Sequence, residues 1–138
     1  MKLIIHTDGG ARRNPGPAAV GVVIETADGK MVAEFGKRIG ETTNNVAEYT
    51  AVIEALKKIN TLEFKKSDEE LIVHFFLDST LVVNQLMGLF KVKDAHLREL
   101  LSQVRIEEQE VGGKIYYSAI PREQNRRADL LVNVALDA

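Results

Sequence analysis

The sequence contains no cysteine and no tryptophan, and only three prolines and three histidines in 138 residues. Without thiols there is no disulfide framework and no thiolate metal site, which makes a reducing compartment the natural setting. Any metal must be held by oxygen or imidazole, and His6, His74 and His96 are not spaced as an imidazole cage. No apolar run approaches the roughly 20 residues that cross a bilayer. Met1-Lys2 leads straight into a strand pattern instead of a cleavable signal segment. A cytoplasmic protein with no membrane partner is therefore expected. Charge of either sign is not in excess: 18 basic and 20 acidic residues leave a net charge of −2. That argues against indiscriminate coating of DNA, which rests on cationic side chains displacing counterions, and leaves only a local basic patch open.

What is present is the composition of a soluble globular chain, 45% apolar and 28% charged. The length suits one domain over residues 1–138, and a monomer is expected.

Lys2 to Thr7 is apolar on both faces, the pattern of a central strand. "VGVVIETADGKMVAEFGKRI" holds two more strands joined through Asp28-Gly29, a hairpin signal because both turn residues tolerate positive φ. These three strands are expected to form an antiparallel meander. In "NNVAEYTAVIEALKKIN" the period changes: Val52, Ala55, Leu56 and Ile59 recur at helical spacing, with Thr50, Glu54, Lys57 and Lys58 opposite. "LIVHFFL" follows as another buried strand, and the helical crossover before it makes it parallel to the first. Ser79 to Met87 reads as a short helix closed by Gly88. Asp94 caps a longer one carrying Leu97, Leu100, Leu101 and Val104, which Gly112-Gly113 breaks. "KIYYSAI" supplies a fifth strand and "NRRADLLVNVALD" the last helix, with no linker, repeat or low-complexity tract between elements.

Four acids stand where acids are out of place. Asp8 and Asp78 each directly follow an apolar strand, and if those strands are parallel neighbours their equivalent ends lie about 5 Å apart. Crevices beyond the carboxyl ends of such strands are where open α/β sheets bind ligands. Glu48 falls on the line of Val52, Ala55 and Ile59, in the inward stripe of its helix, and Asp129 aligns with Val132 and Leu136 on the margin of another. Singly, each has an ordinary explanation: Asp8 or Asp78 can satisfy amides at a turn or helix start, and Asn45-x-x-Glu48 has the form of a capping box. Together they describe a buried cluster of like charge, which raises carboxyl pKa values unless a cation neutralises it. Hard divalent ions, Mg²⁺ or Mn²⁺, prefer such oxygen ligands.

In "TDGGARRNPGPAAVGVVI", "GETTNNVAEYTAVIEAL", "FFLDSTLVVNQLMGLFKVKDAHL" and "IPREQNRRADLLVNVALD", in that order, the chain resembles the type 1 ribonuclease H family in its compact archaeal and bacterial form. The resemblance runs through nearly the whole chain. It implies an α/β, ribonuclease H-like fold: a five-stranded mixed sheet, a three-strand antiparallel meander plus two parallel strands, with helices on both faces. It implies an acidic tetrad at Asp8, Glu48, Asp78 and Asp129 that holds two Mg²⁺ ions, with Mn²⁺ as a substitute and Asp8 as the bridging ligand. The implied reaction is endonucleolytic hydrolysis of the RNA strand of an RNA–DNA hybrid to 5′-phosphate and 3′-hydroxyl ends by a two-metal mechanism. Gly9, Gly10, Arg12, Asn14, Asn44 and Asn45 are the expected substrate contacts. Selection for RNA requires the 2′-hydroxyl, reachable across the wide minor groove of an A-like helix. Arg13, Lys91, Lys93, Arg126 and Arg127 are further candidates for phosphate contacts.

The chain departs from its relatives in several places, among them Leu77, where relatives often have Ser before the acid. Many members carry a mobile-loop histidine upstream of the last acid; "IPREQNRRAD" has none, and Arg122 occupies a comparable place among the expected catalytic residues. Its guanidinium can bind phosphate but cannot serve as a general base. The basic helix of larger bacterial relatives is reduced to "GLFKVK", so hybrid binding is expected to be weaker and salt-sensitive. His6 and His74 share the strand alternation of Asp8 and Asp78 and read as hydrogen-bonded core histidines. Two other readings stand beside the hybrid nuclease: a nuclease acting on another duplex such as double-stranded RNA, and a catalytically weak module that recognises hybrid shape.

Overall fold

The computed structural model describes residues 1–62 and 70–138. Strands β1 (Lys2–Ala11), β2 (Gly16–Thr26) and β3 (Met31–Thr42) are followed by helix α1 (Asn44–Asn60). Then come β4 (Ile72–Leu77), helices α2 (Thr80–Leu86) and α3 (Ala95–Val111), β5 (Lys114–Ala119), a 3₁₀ turn (Arg122–Gln124) and α4 (Arg126–Asp137). The sheet order is β3-β2-β1-β4-β5. β1, β2 and β3 pair antiparallel, while β4 pairs parallel with both β1 and β5. This is the expected meander joined to two parallel strands, with β1 at the centre.

Local chemistry explains most boundaries. At the β2–β3 hairpin only Gly29, not Asp28, takes positive φ (91°), and its N–H bonds the Thr26 carbonyl. This is a type I turn followed by one left-handed residue. Thr43 caps α1 by accepting from Val46 N, so the Asn45-x-x-Glu48 box does not form. Asp94 caps α3 through Leu97 N, and Gly112 ends it with φ 73°.

One face of the sheet carries the main core. Leu3 and Ile5 of β1, Val22 and Ile24 of β2, and Val73, Phe75 and Leu77 of β4 are fully buried against Tyr49, Val52, Leu56 and Ile59 of α1. Each such aliphatic side chain contributes about 1.5–3 kcal/mol relative to exposure. Tyr49 is among the largest fully buried side chains, and its hydroxyl donates to Gln85 Oε1 at 2.6 Å, which ties α2 to α1 without an orphaned polar group. The other face is covered by α4, which packs on β1, β2 and β3. Beside it, on β1 and β4, His6 and His74 stack on Phe76 with ring centroids 5.3 and 4.2 Å apart, and His74 Nε2 meets Ser118 Oγ at 2.7 Å. These two histidines are half-buried members of a ring stack on the second face of the sheet. His96 is exposed on α3.

Candidate active site

β1 does not stop at Thr7. Its parallel pairing with β4 ends at His6–Phe76, but its antiparallel pairing with β2 continues through Asp8–Gly21 to Ala11–Ala18. Asp8 therefore lies inside a strand, at the point where β4 leaves it. Asp78 stands one residue beyond the end of β4, on the same side of that parting. Two carboxylates meet there because two parallel neighbours release each other, and no turn chemistry is needed to explain them.

Glu48 reaches the same point from α1. Gly9 N donates to Glu48 Oε1 at 3.3 Å, so the carboxylate is fastened across the sheet instead of back onto its own helix. The close approach depends on Gly9: a Cβ there would lie 2.2 Å from the Ala47 carbonyl oxygen. Gly21, opposite Asp8, does the same for α4, since its Cβ would sit 2.1 Å from the Ala128 carbonyl oxygen, one residue before Asp129. Two glycines flanking Asp8, one along β1 and one across to β2, thus set the depth of the two helices that carry the remaining acids.

Asp8, Glu48 and Asp78 each present an oxygen such that all three lie within 4.8 Å of one another. Asp129, half-buried, stands outside that tight group but lines the same cleft, about 530 Å³, with Asn44, Asn45 and Arg122. Asp8 is 7% exposed and Glu48 6%. Burial first, then the charge of Asp78, pushes the Asp8 carboxyl up to about 7. Burial and the charge of Asp8 likewise raise Glu48 well above the usual carboxylate range. Among the described residues no donor reaches Glu48 Oε2.

The other predicted residues divide into those that line the cleft and those already engaged. Gly10 and Asn44 are neighbours: Asn44 Oδ1 accepts from Ala11 N at 2.8 Å, and Asn44 N donates to Asn14 Oδ1 at 2.9 Å. Asn14 thus braces the start of α1 from the loop after β1. Arg12 lines the cleft but is paired with Asp137 at 2.5 Å, and Arg127 is paired with Glu34 at 2.7 Å on the flank of the sheet. Arg13, Lys91, Lys93 and Arg126 are exposed and are not among the cleft-lining residues. Arg122 is exposed at the lip, in the 3₁₀ turn before α4. Sequence reading missed Gly21 and Asn125. Nothing in the local sequence marks Gly21 as opposite Asp8, and Asn125 has the ordinary look of a helix cap.

A family model described as "Reverse transcriptase-like" matches residues 6–135. The Halobacterium salinarum protein named Ribonuclease HI is 45% identical over 96% of this chain and 63% of its own. The crystal structure of RNase H1 from that organism superposes with a TM-score of 0.90 at 39% identity, covering 99% of this chain and 98% of the other. The chain belongs to the type 1 ribonuclease H family. LC11-RNase H1, solved in complex with an RNA/DNA hybrid, is similar at 46% identity and a TM-score of 0.89, over 98% of this chain and 96% of that one. The Mycobacterium tuberculosis bifunctional protein Rv2228c is 41% identical over the whole of this chain but only 36% of its own length. The chain therefore spans about a third to two thirds of the curated relatives it matches first. Among the described residues no helix lies between α2 and α3; Leu89 and Phe90 are 66% and 52% exposed there, beside Lys91.

Proposed function

We propose that this chain hydrolyses the RNA strand of RNA–DNA hybrids endonucleolytically, leaving 5′-phosphate and 3′-hydroxyl ends, with two divalent ions held by the four acids. One observation carries the reading: carboxylates from β1, α1 and the end of β4 converge within 4.8 Å, with Asp129 at the margin of the same cleft. A folded protein gains nothing from burying like charges together unless a cation joins them. The donor set fits a hard cation, being all carboxylate, and buried Glu48 Oε2 finds no donor among the described residues. Asp8, which feels Asp78, Glu48 and Asp129 together, would be central to holding the ions. When bound, Mg²⁺ supplies Lewis-acid polarisation of the scissile phosphate and a lowered pKa for the attacking water.

The protein's own residues do the selecting and holding. Gly10 leaves the cleft floor without a side chain, so a sugar–phosphate backbone can approach β1 closely. Asn44, with its oxygen engaged by Ala11 N, keeps its NH₂ to donate to a sugar hydroxyl or base edge, and exposed Asn45 stands beside it. Arg122 at the lip binds phosphate as a fixed cation and takes no proton. The similarity to LC11-RNase H1, solved with a hybrid, supports the choice of substrate. Among the described residues no helix is long and apolar enough to cross a membrane.

The deciding experiment uses an RNA–DNA hybrid labelled on one strand, with double-stranded RNA and double-stranded DNA alongside, in Mg²⁺ or EDTA. Cleavage of the RNA strand of the hybrid in Mg²⁺ alone is expected. Binding without cleavage would select the shape-recognition module, and preferential cleavage of double-stranded RNA would select the other nuclease.

A further inference from the structure

Asn125 is a buried polar side chain at this site that the chemistry above does not use. It is 1% exposed and stands at the N-cap of α4, yet its side chain caps nothing. An asparagine there ordinarily turns its oxygen onto the first amides of its helix. Here Nδ2 donates to the Thr7 carbonyl at 2.9 Å and to Asp78 Oδ2 at 3.3 Å. Thr7 precedes Asp8 and Asp78 follows β4, so one amide spans the gap opened where the two parallel strands part. The backbone of the same residue extends the connection: its carbonyl accepts from Asp129 N at 3.2 Å and its N–H donates to the Arg122 carbonyl at 2.9 Å.

A half-buried aspartate just past a strand end can adopt several rotamers, and only those that face Asp8 can share a cation with it. The bond to Asp78 is made to a carboxylate oxygen, and the donor is itself fixed by the Thr7 carbonyl. We propose that Asn125 is a positioning residue: its NH₂ group holds the Asp78 carboxylate in register with Asp8, and its main chain sets the Asp129 helix and the Arg122 turn against that pair. The proposal rests on the ribonuclease H reading above. Being buried, Asn125 acts through these groups and not by touching the hybrid.

The test compares wild type, Asn125→Ala and Asn125→Ser by three measurements at a temperature where circular dichroism shows each folded. These are kcat and KM on a hybrid in saturating Mg²⁺, and Mn²⁺ affinity of the free protein by loss of the free-ion electron paramagnetic resonance signal. Serine carries one shorter donor that cannot bridge both acceptors. For Asn125→Ala a kcat loss of at least tenfold is expected with KM within about twofold, and Mn²⁺ affinity should fall about tenfold, the lower end for an outer partner of a metal ligand. Serine is expected to show the same pattern. A purely structural residue would lower the unfolding midpoint while leaving kcat and Mn²⁺ affinity at wild-type values, and that result overturns the proposal. Failure of both variants to fold overturns it too, by assigning Asn125 to the fold alone. A wild type that neither cleaves hybrid nor binds Mn²⁺ refutes the ribonuclease H reading itself, and the proposal with it; wild-type cleavage with unaltered variants refutes only the role of Asn125.

Discussion

Replacing Asp8 by asparagine should make the metal-free protein more stable, by an amount that depends on pH. The Asp8 carboxyl is raised from an ordinary 3.8 to about 7, chiefly by burial and by the charge of Asp78. The folded protein therefore keeps this proton to a higher pH than the unfolded chain does. Between about pH 4 and 7 the unfolded chain binds fewer protons, so stability falls as pH rises through that window. The loss is complete above about 7 and absent below about 4. At about 1.4 kcal/mol per pH unit, the rise from 3.8 to about 7 sets a ceiling of about 4 kcal/mol. The cleft is open to solvent, whose water screens the two charges, so about 2 kcal/mol is the expected gain for Asp8→Asn at pH 8 in EDTA, shrinking towards zero at pH 4. The substituted amide is neutral throughout and can donate to Glu48, which then faces the charge of Asp78 without that of Asp8. The chain has no tryptophan. Urea unfolding followed by circular dichroism at 222 nm is therefore the suitable assay, run from pH 4 to 8 with and without Mg²⁺. In Mg²⁺ the wild type should gain stability through binding and the variant much less, narrowing or reversing the gap. A variant no more stable than wild type at pH 8 in EDTA would refute the claim that this cluster is strained without its cation.

Three further outcomes follow from the same geometry. Asp78→Asn should abolish hybrid cleavage while leaving the circular dichroism spectrum unchanged, because Asp78 is half-exposed beyond its strand; near-normal turnover would remove it from the site. Glu48→Gln should leave the metal-free protein at least as stable at neutral pH, since an amide oxygen can still accept from Gly9 N and a buried charge is gone; a clear loss in urea midpoint would point to a structural role instead. Gly21→Ala should destabilise by about 2 kcal/mol or more, because its Cβ meets the Ala128 carbonyl and forces α4 outward. It should also lower kcat at least tenfold through displaced Asp129, and a stability loss with unchanged kcat would show that the depth of α4 does not matter to the chemistry.

Much of this architecture is local and therefore legible in the chain. Helical periodicity marked α1 over the same residues, 44–60, that the structure shows, and Asp94 caps α3 through Leu97 N as its position suggested. Buried strands flanking a helical crossover were enough to place Asp8 near Asp78, because parallel pairing makes equivalent strand ends adjacent. Glu48 was found by its position in an apolar stripe, a signal that needs only the helix period. Other features depend on register between distant segments, which no local pattern encodes. β1 continues to Ala11 because β2 goes on pairing with it after β4 departs, so the strand passes Asp8 instead of ending there. Gly21 matters because it lies opposite Asp8 and beneath Ala128, and Glu48 bonds Gly9 N across the sheet because Thr43 already caps its helix. The amide of Asn125 leaves its own helix for Thr7, 118 residues away in sequence, and for Asp78. Sequence by itself determined which groups carry the charge and which elements bear them. Tertiary packing decided how deep each element sits and which polar groups meet, since those contacts form only when the sheet and both helix layers are in place.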